Sequence, residues 1–202
     1  DGNGHAIIVD NAYPGLIDTN NGTIRNLTVD GADLVSISAI CKINKGLIEN
    51  CRNAANLSND ANDNNKRKGA ICDTNDTTGI IRSCYNTGKL SGTYVGGICG
   101  TNLGLVENCF NTGLIDAESN AGGIVWRNHN NSESNGRGGT IRNCYNFNVM
   151  HHTAGWDSFY GSYIDKNLGP ICGNNEKASV SISATSSKKI YVEGTVENGL
   201  YL

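Results

Sequence analysis

The sequence predicts an all-β fold: a right-handed parallel β-helix (β-solenoid) of about five coils with inserted loops. Three observations predict it. One short pattern recurs along most of the 202 residues, residues of one kind fall into fixed columns of that pattern, and glycine is abundant (26) while proline is scarce (2). Glycine tolerates the left-handed backbone region, and asparagine visits it more readily than other residues do, so such a chain turns often.

The pattern has two halves. One reads Gly-x-Ile-x-Asn-Cys-x-Asn and starts at Gly22 (GTIRNLTV), Gly46 (GLIENCRN), Gly79 (GIIRSCYN), Gly104 (GLVENCFN) and Gly139 (GTIRNCYN). The other reads Gly-Ile-Cys-Gly-x-Asn-x-Gly and leads into the first, at Gly15, Ala39, Ala70, Gly97 and Gly123. A sixth copy, GPICGNN at Gly169, has no matching second half. The second-half glycines lie 24, 33, 25 and 35 residues apart. The short intervals give the bare coil and the long ones a coil plus a loop. So short a period, poor in helix formers, fits stacked strands rather than helical repeats. A leucine-rich consensus is absent.

One coil cannot bury its own apolar face. Stacked coils pair each strand with the next rung at about 4.8 Å and share one core. Columns of like residues then run up the stack. Cysteine makes two. Cys41, Cys72, Cys99 and Cys172 share one with Ile17 and Val125; Cys51, Cys84, Cys109 and Cys144 share the other with Leu27. The aliphatic replacements show that the position asks for a small buried hydrophobe. Asparagine makes two more: Asn26, Asn50, Asn108 and Asn143 with Ser83, and Asn20, Asn44, Asn75, Asn102 and Asn128. Stacked amides can satisfy one another and the turn backbone. A fifth column alternates in sign, Arg25, Glu49, Arg82, Glu107, Arg142, which favours one register between neighbouring strands.

Gly96 to Ile115, GGICGTNLGLVENCFNTGLI, resembles the GLUG repeat of large bacterial surface proteins, including adhesin-type and IgA-peptidase-type chains. The opening DGNGHAIIVD resembles the segment that often precedes such repeats. The resemblance spans roughly residues 1–175 and implies an extracellular, cell-surface bacterial setting, with this chain a piece of a larger protein. It carries over no catalytic residue.

The formal net charge of −3 argues against a broad nucleic-acid footprint, and no apolar run reaches membrane-spanning length. The solenoid is expected over 1–177. Residues 178–202 leave the pattern and read as a strand or hairpin that caps the helix or opens another domain.

Three interruptions break the repeat: Leu57–Lys68, His129–Gly138 and Met150–Leu168. The first and third leave the coil at the same place, past the second cysteine column. The first ends in a small basic cluster. The third holds Trp156, Phe159, Tyr160 and Tyr163, with Trp126 near the preceding break. These aromatics are the candidate ligand-contact residues. Their rings either offer a sugar-stacking or partner-docking surface or plug the open end of the last coils.

No chemistry-bearing cluster stands out. The cysteines lack CxxC spacing and read as buried thiols rather than zinc ligands or disulfides. His151 and His152 point to opposite faces of a strand. Asp73 with Asp76, and Asp10 near Asp18, suit turn hydrogen bonding. No metal, cofactor or catalytic residue is expected. The expected role is a noncatalytic structural or adhesion module acting as a rigid spacer, with ligand contact through 150–168. The alternative is a carbohydrate-binding or carbohydrate-active β-helix of a glycan-degrading protein. The partners in view are a host or microbial glycan or surface protein, and end-to-end self-association through free strand edges.

Overall fold

Alternation of apolar and polar residues over a few positions, broken by Gly/Asn bends, gives strands too short to stand alone. Here each coil contributes strands to four faces. The computed structural model describes residues 1–10, 15–58, 67–129, 138–148, 150–152, 168–176, 179–181, 184–185, 196–197 and 200–201. The strands of the first face are Ile17–Asn20, Cys41–Asn44, Cys72–Asn75, Cys99–Asn102, Val125–His129 and Cys172–Glu176. Those of the second are Thr23–Arg25, Leu47–Glu49, Ile80–Arg82, Leu105–Glu107, Thr140–Arg142, Ser179–Ser181 and Val196–Glu197. The third holds Ala6–Ile8, Thr28–Asp30, Arg52–Asn53, Tyr85–Asn86, Phe110–Asn111, Tyr145–Asn146, Ala184–Thr185 and Leu200–Tyr201. The fourth holds Leu34–Val35, Leu57–Ser58, Arg67–Gly69, Leu90–Gly96, Ile115–Gly122, Met150–His152 and Leu168–Gly169. Neighbours on every face pair in parallel, and the described residues contain no helix. The chain is an all-β parallel β-helix.

The expected columns are the pairing register. Ile17, Cys41, Cys72, Cys99, Val125 and Cys172 are successive partners on the first face. On the second, Ile24, Ile48, Ile81, Val106 and Ile141 point inward beneath the alternating charges. Ile48, Ile81, Val106 and Ile141 are fully buried, and each such side chain stabilises the fold by about 1.5–3 kcal/mol relative to exposure. Leu34, Leu57, Leu90 and Ile115 do the same on the fourth face.

The bend between second and third faces explains one asparagine column. Asn26, Asn50, Ser83, Asn108 and Asn143 all have φ between 51° and 54°, in the left-handed region that asparagine tolerates better than most residues. Their side chains also link, Asn50 Nδ2 donating to Asn26 Oδ1 at 2.7 Å and Asn143 Nδ2 to Asn108 Oδ1 at 3.2 Å. Ser83 interrupts that chain.

All eight cysteines are buried and free of disulfides. Immediately past the left-handed bend, Cys51, Cys84, Cys109 and Cys144 each donate Sγ–H to the carbonyl two residues back, at 3.2 Å. A thiol thus fills the apolar site and also serves the bend's carbonyl, which an aliphatic residue cannot. Burial, together with hydrogen bonds to Cys41 and Cys99, pushes the Cys72 thiol up; burial and its neighbours Cys144 and Cys84 do the same to Cys109. Burial raises Cys172 to about 12.

The structure corrects the sequence reading in places. The first interruption is narrower than Leu57–Lys68: Leu57 and Lys68 are both fully buried, and Arg67–Gly69 is a strand paired with Tyr94–Gly96. The end of the "basic cluster" is therefore a core residue. Lys68 Nζ donates to the carbonyl oxygens of Ser36 and Ser58, at the ends of the short strands below. The sixth half-coil does have a second half, because Ser179–Ser181 pairs with Thr140–Arg142 and Ala184–Thr185 with Tyr145–Asn146. The described strands within 178–202 add in parallel to the faces rather than folding back as a hairpin.

Two further columns stand on the third face. Asn53, Asn86, Asn111 and Asn146 form a third buried amide ladder with bonds of 2.7–2.8 Å. Val29 occupies the rung below Asn53, and the Asn53 Oδ1 is left without a hydrogen bond. Beside this ladder, Tyr85, Phe110 and Tyr145 stack ring on ring.

Candidate functional site

Departures from the repeat cluster on one half of the coil. The breaks at 59–66 and 153–167 both open within the fourth face: Leu57–Ser58 resumes as Arg67–Gly69, and Met150–His152 as Leu168–Gly169. On the two rungs between them the chain runs unbroken, as Leu90–Gly96 and Ile115–Gly122, with a register shift between Gly92 and Tyr94. The third break, 130–137, follows His129 at the end of a first-face strand. Among the described residues, the second and third faces carry no insertion.

The edge between fourth and first faces holds an aromatic pair. Tyr94 and Trp126 come from neighbouring rungs, since Tyr94 pairs with Asn120, whose strand leads into that of Trp126, and their rings stack with centroids 4.8 Å apart and planes at 29°. Gly100 stands in the column of Trp126, one rung below it. A Cβ there would lie 2.6 Å from the Asp73 carbonyl oxygen and 2.9 Å from its carboxylate, so the backbone geometry excludes a side chain there. Both rings are half-buried, and the Trp126 Nε1 is buried without a hydrogen-bond partner.

The unbroken rungs form a polar floor. Thr93 Oγ1 donates to Glu118 Oε2 at 2.8 Å, and Lys89 Nζ lies 3.1 Å from Asp116 Oδ2. Asp116 pairs in register with His151, which is exposed. One carboxylate is thus engaged by a hydroxyl and the other by an ammonium. Among the described residues no three His, Cys, Asp or Glu side chains are grouped to hold a metal ion. The turn aspartates serve local structure: Asp76 accepts from the Thr77 amide at 2.6 Å, and Asp18 from Thr19 at 3.1 Å.

Of the aromatic candidates from the sequence, Trp126 is placed here, and Trp156, Phe159, Tyr160 and Tyr163 lie outside the described residues. Sequence reasoning missed Tyr94. Its only signal was a second aromatic residue one rung below Trp126, at the end of the preceding face. No family model, curated protein or solved structure matches the chain.

Proposed function

We propose that the chain is a noncatalytic structural and adhesion module of a bacterial cell-surface or secreted protein. It acts as a rigid spacer and makes contact through its decorated half. The observation that supports the reading most is the unbroken parallel register of the first face, from Ile17 through Cys172, locked by the buried amide chain Asn20–Asn44–Asn75–Asn102–Asn128. Such a stack resists bending because each rung is bonded to the next on every face. The resemblance to GLUG repeats supports the surface setting, and the position of the insertions favours the fourth face and its edge for contact.

The Tyr94–Trp126 pair favours a second reading, carbohydrate binding within a glycan-degrading protein, since aromatic rings at a half-buried edge present an apolar surface with a polar rim. A screen of the chain against arrayed glycans and surface proteins, beside Trp126→Ala checked by circular dichroism, tests both. Glycan binding lost in a folded variant supports the second reading. Protein binding lost in that variant supports adhesion. Absence of any binding removes the contact and leaves the spacer.

A further inference from the structure

The third face carries a site that neither reading uses. Arg52, Tyr85, Phe110 and Tyr145 stand on successive rungs, one residue past the second cysteine column. The Tyr85 and Phe110 rings stack at 4.7 Å with planes 8° apart, and Phe110 and Tyr145 at 5.0 Å and 5°. The rise between rungs is about 4.8 Å, so the ring normals run along the helix axis. The faces of these rings are used on one another. Their edges, the electropositive part of an aromatic ring, border the outer surface.

Both ends of the column are distinctive. At the upper end Phe147, 56% exposed, sets its ring 72° to Tyr145 with centroids 4.8 Å apart. Phe147 shows how a flat ring sits against this column, and the same kind of surface continues over Phe110 and Tyr85. At the lower end the Arg52 guanidinium lies 5.7 Å from the Tyr85 ring centroid. Its Nε and Nη2 donate to Thr87 Oγ1 at 3.2 and 3.0 Å, which holds it in place. Arg25, Arg82 and Arg142 are each paired with a carboxylate. Arg52 has no carboxylate partner among the described residues. Alongside the column the outward positions are Thr87 and Thr112, both exposed and small enough to leave room.

We propose that this part of the third face binds a flat aromatic anion. Its rings lie along the helix axis across the edges of Tyr85 and Phe110, in line with Phe147, and its carboxylate or sulfonate sits on Arg52. From Arg52 to Phe110 is two rungs, about 10 Å, the length of a two-ring system with an acidic substituent. The charge of Arg52 selects an anion, and the edge-on column selects a ligand that offers its π face.

The probe is 2-naphthalenesulfonate, titrated calorimetrically into the folded chain. Saturable one-to-one binding is expected, with affinity at least about tenfold lower in Arg52→Gln, the loss that a charge-assisted hydrogen bond of about 1.5 kcal/mol or more implies. Phe110→Thr is expected to weaken binding by a similar factor. Thr28 already occupies this column on the rung below Arg52, so threonine is compatible with the face. The uncharged 2-naphthylmethanol should bind at least about tenfold more weakly than the sulfonate. Absence of saturable binding to the wild type, or unchanged affinity in Arg52→Gln, overturns the proposal. Arg52→Gln, a surface change, decides alone if Phe110→Thr does not fold.

Discussion

Asn75 Nδ2 donates to Asn102 Oδ1 at 2.8 Å, and neither residue is exposed to solvent. The same Nδ2 is in reach of the carbonyls of Gly79 and Leu105, while Asn75 Oδ1 accepts from Asn44. One side chain therefore ties three coils together. Asn75→Ala is expected to cost about 3 kcal/mol, since it strands a donor and an acceptor in the core. Asn20→Ala, at the end of the ladder, should cost about 1 kcal/mol. Urea unfolding monitored by circular dichroism measures both, and equal losses would show that the ladder does not act as a chain.

Ser83 breaks the outer amide column between Asn50 and Asn108 while holding a left-handed φ of 54°. Ser83→Asn supplies a residue that favours this backbone and can join the two halves of the column. A gain of about 1 kcal/mol is expected, read as a higher midpoint of thermal unfolding.

Lys68 is the one fully buried lysine among the described residues, with its ammonium on the Ser36 and Ser58 carbonyls. Lys68→Met keeps the stem but removes these donors, and should cost about 1–3 kcal/mol. Lys68→Glu places a carboxylate against carbonyl oxygens in the core and is expected to abolish cooperative unfolding. If Lys68→Glu melts like the wild type, the side chain is not buried in solution.

Glu107 receives Arg142 at 2.6 Å and Arg82 at 3.9 Å, and its side chain is 11% exposed. Glu49 receives Arg82 at 2.7 Å from a more open position. Glu107→Gln should therefore destabilise more than Glu49→Gln, which is expected to change stability by less than about 1 kcal/mol. Salt should narrow the difference only partly, because the less exposed pair is screened less.

The thiols set an alkaline limit. Cys172 is raised by burial from 9.0 to about 12. Its folded form stays protonated where the unfolded chain ionises, so its contribution is complete below about pH 9 and is lost as pH rises towards 12. In that window stability should fall by about 1.4 kcal/mol per pH unit for this group alone, and Cys172→Val should flatten the slope. Urea midpoints at neutral and alkaline pH check it.

The cysteine and charge columns were legible because their exceptions were informative. Ile17, Val125 and Leu27 said what the cysteine sites want, and strict sign alternation has one simple explanation. The third amide ladder was written in the repeat itself, as the last Asn of each second half. It was hidden because the first copy of the repeat has Val29 in that column. The aromatic column was masked in the same way by Thr28 and Arg52. Lys68 misled because a KRK run reads as solvated. Its burial follows from the short strands below it, whose terminal carbonyls need a donor, and no local pattern announces that. The pairing of Tyr94 with Trp126 joins the end of one face to the start of the next on the rung above, an offset that no column of the repeat shows.

The restriction of the insertions to the first and fourth faces, among the described residues, divides the coil into tolerant and intolerant territory. A residue added within the second or third face would shift amide, charge and ring columns on all later rungs at once. One added between Ser58 and Arg67 changes nothing above or below it. Grafted peptides or whole domains should therefore be accepted at 59–66 without loss of register. Sequence drift among related chains should collect on the same side, leaving the opposite side as the invariant surface by which such modules can be aligned.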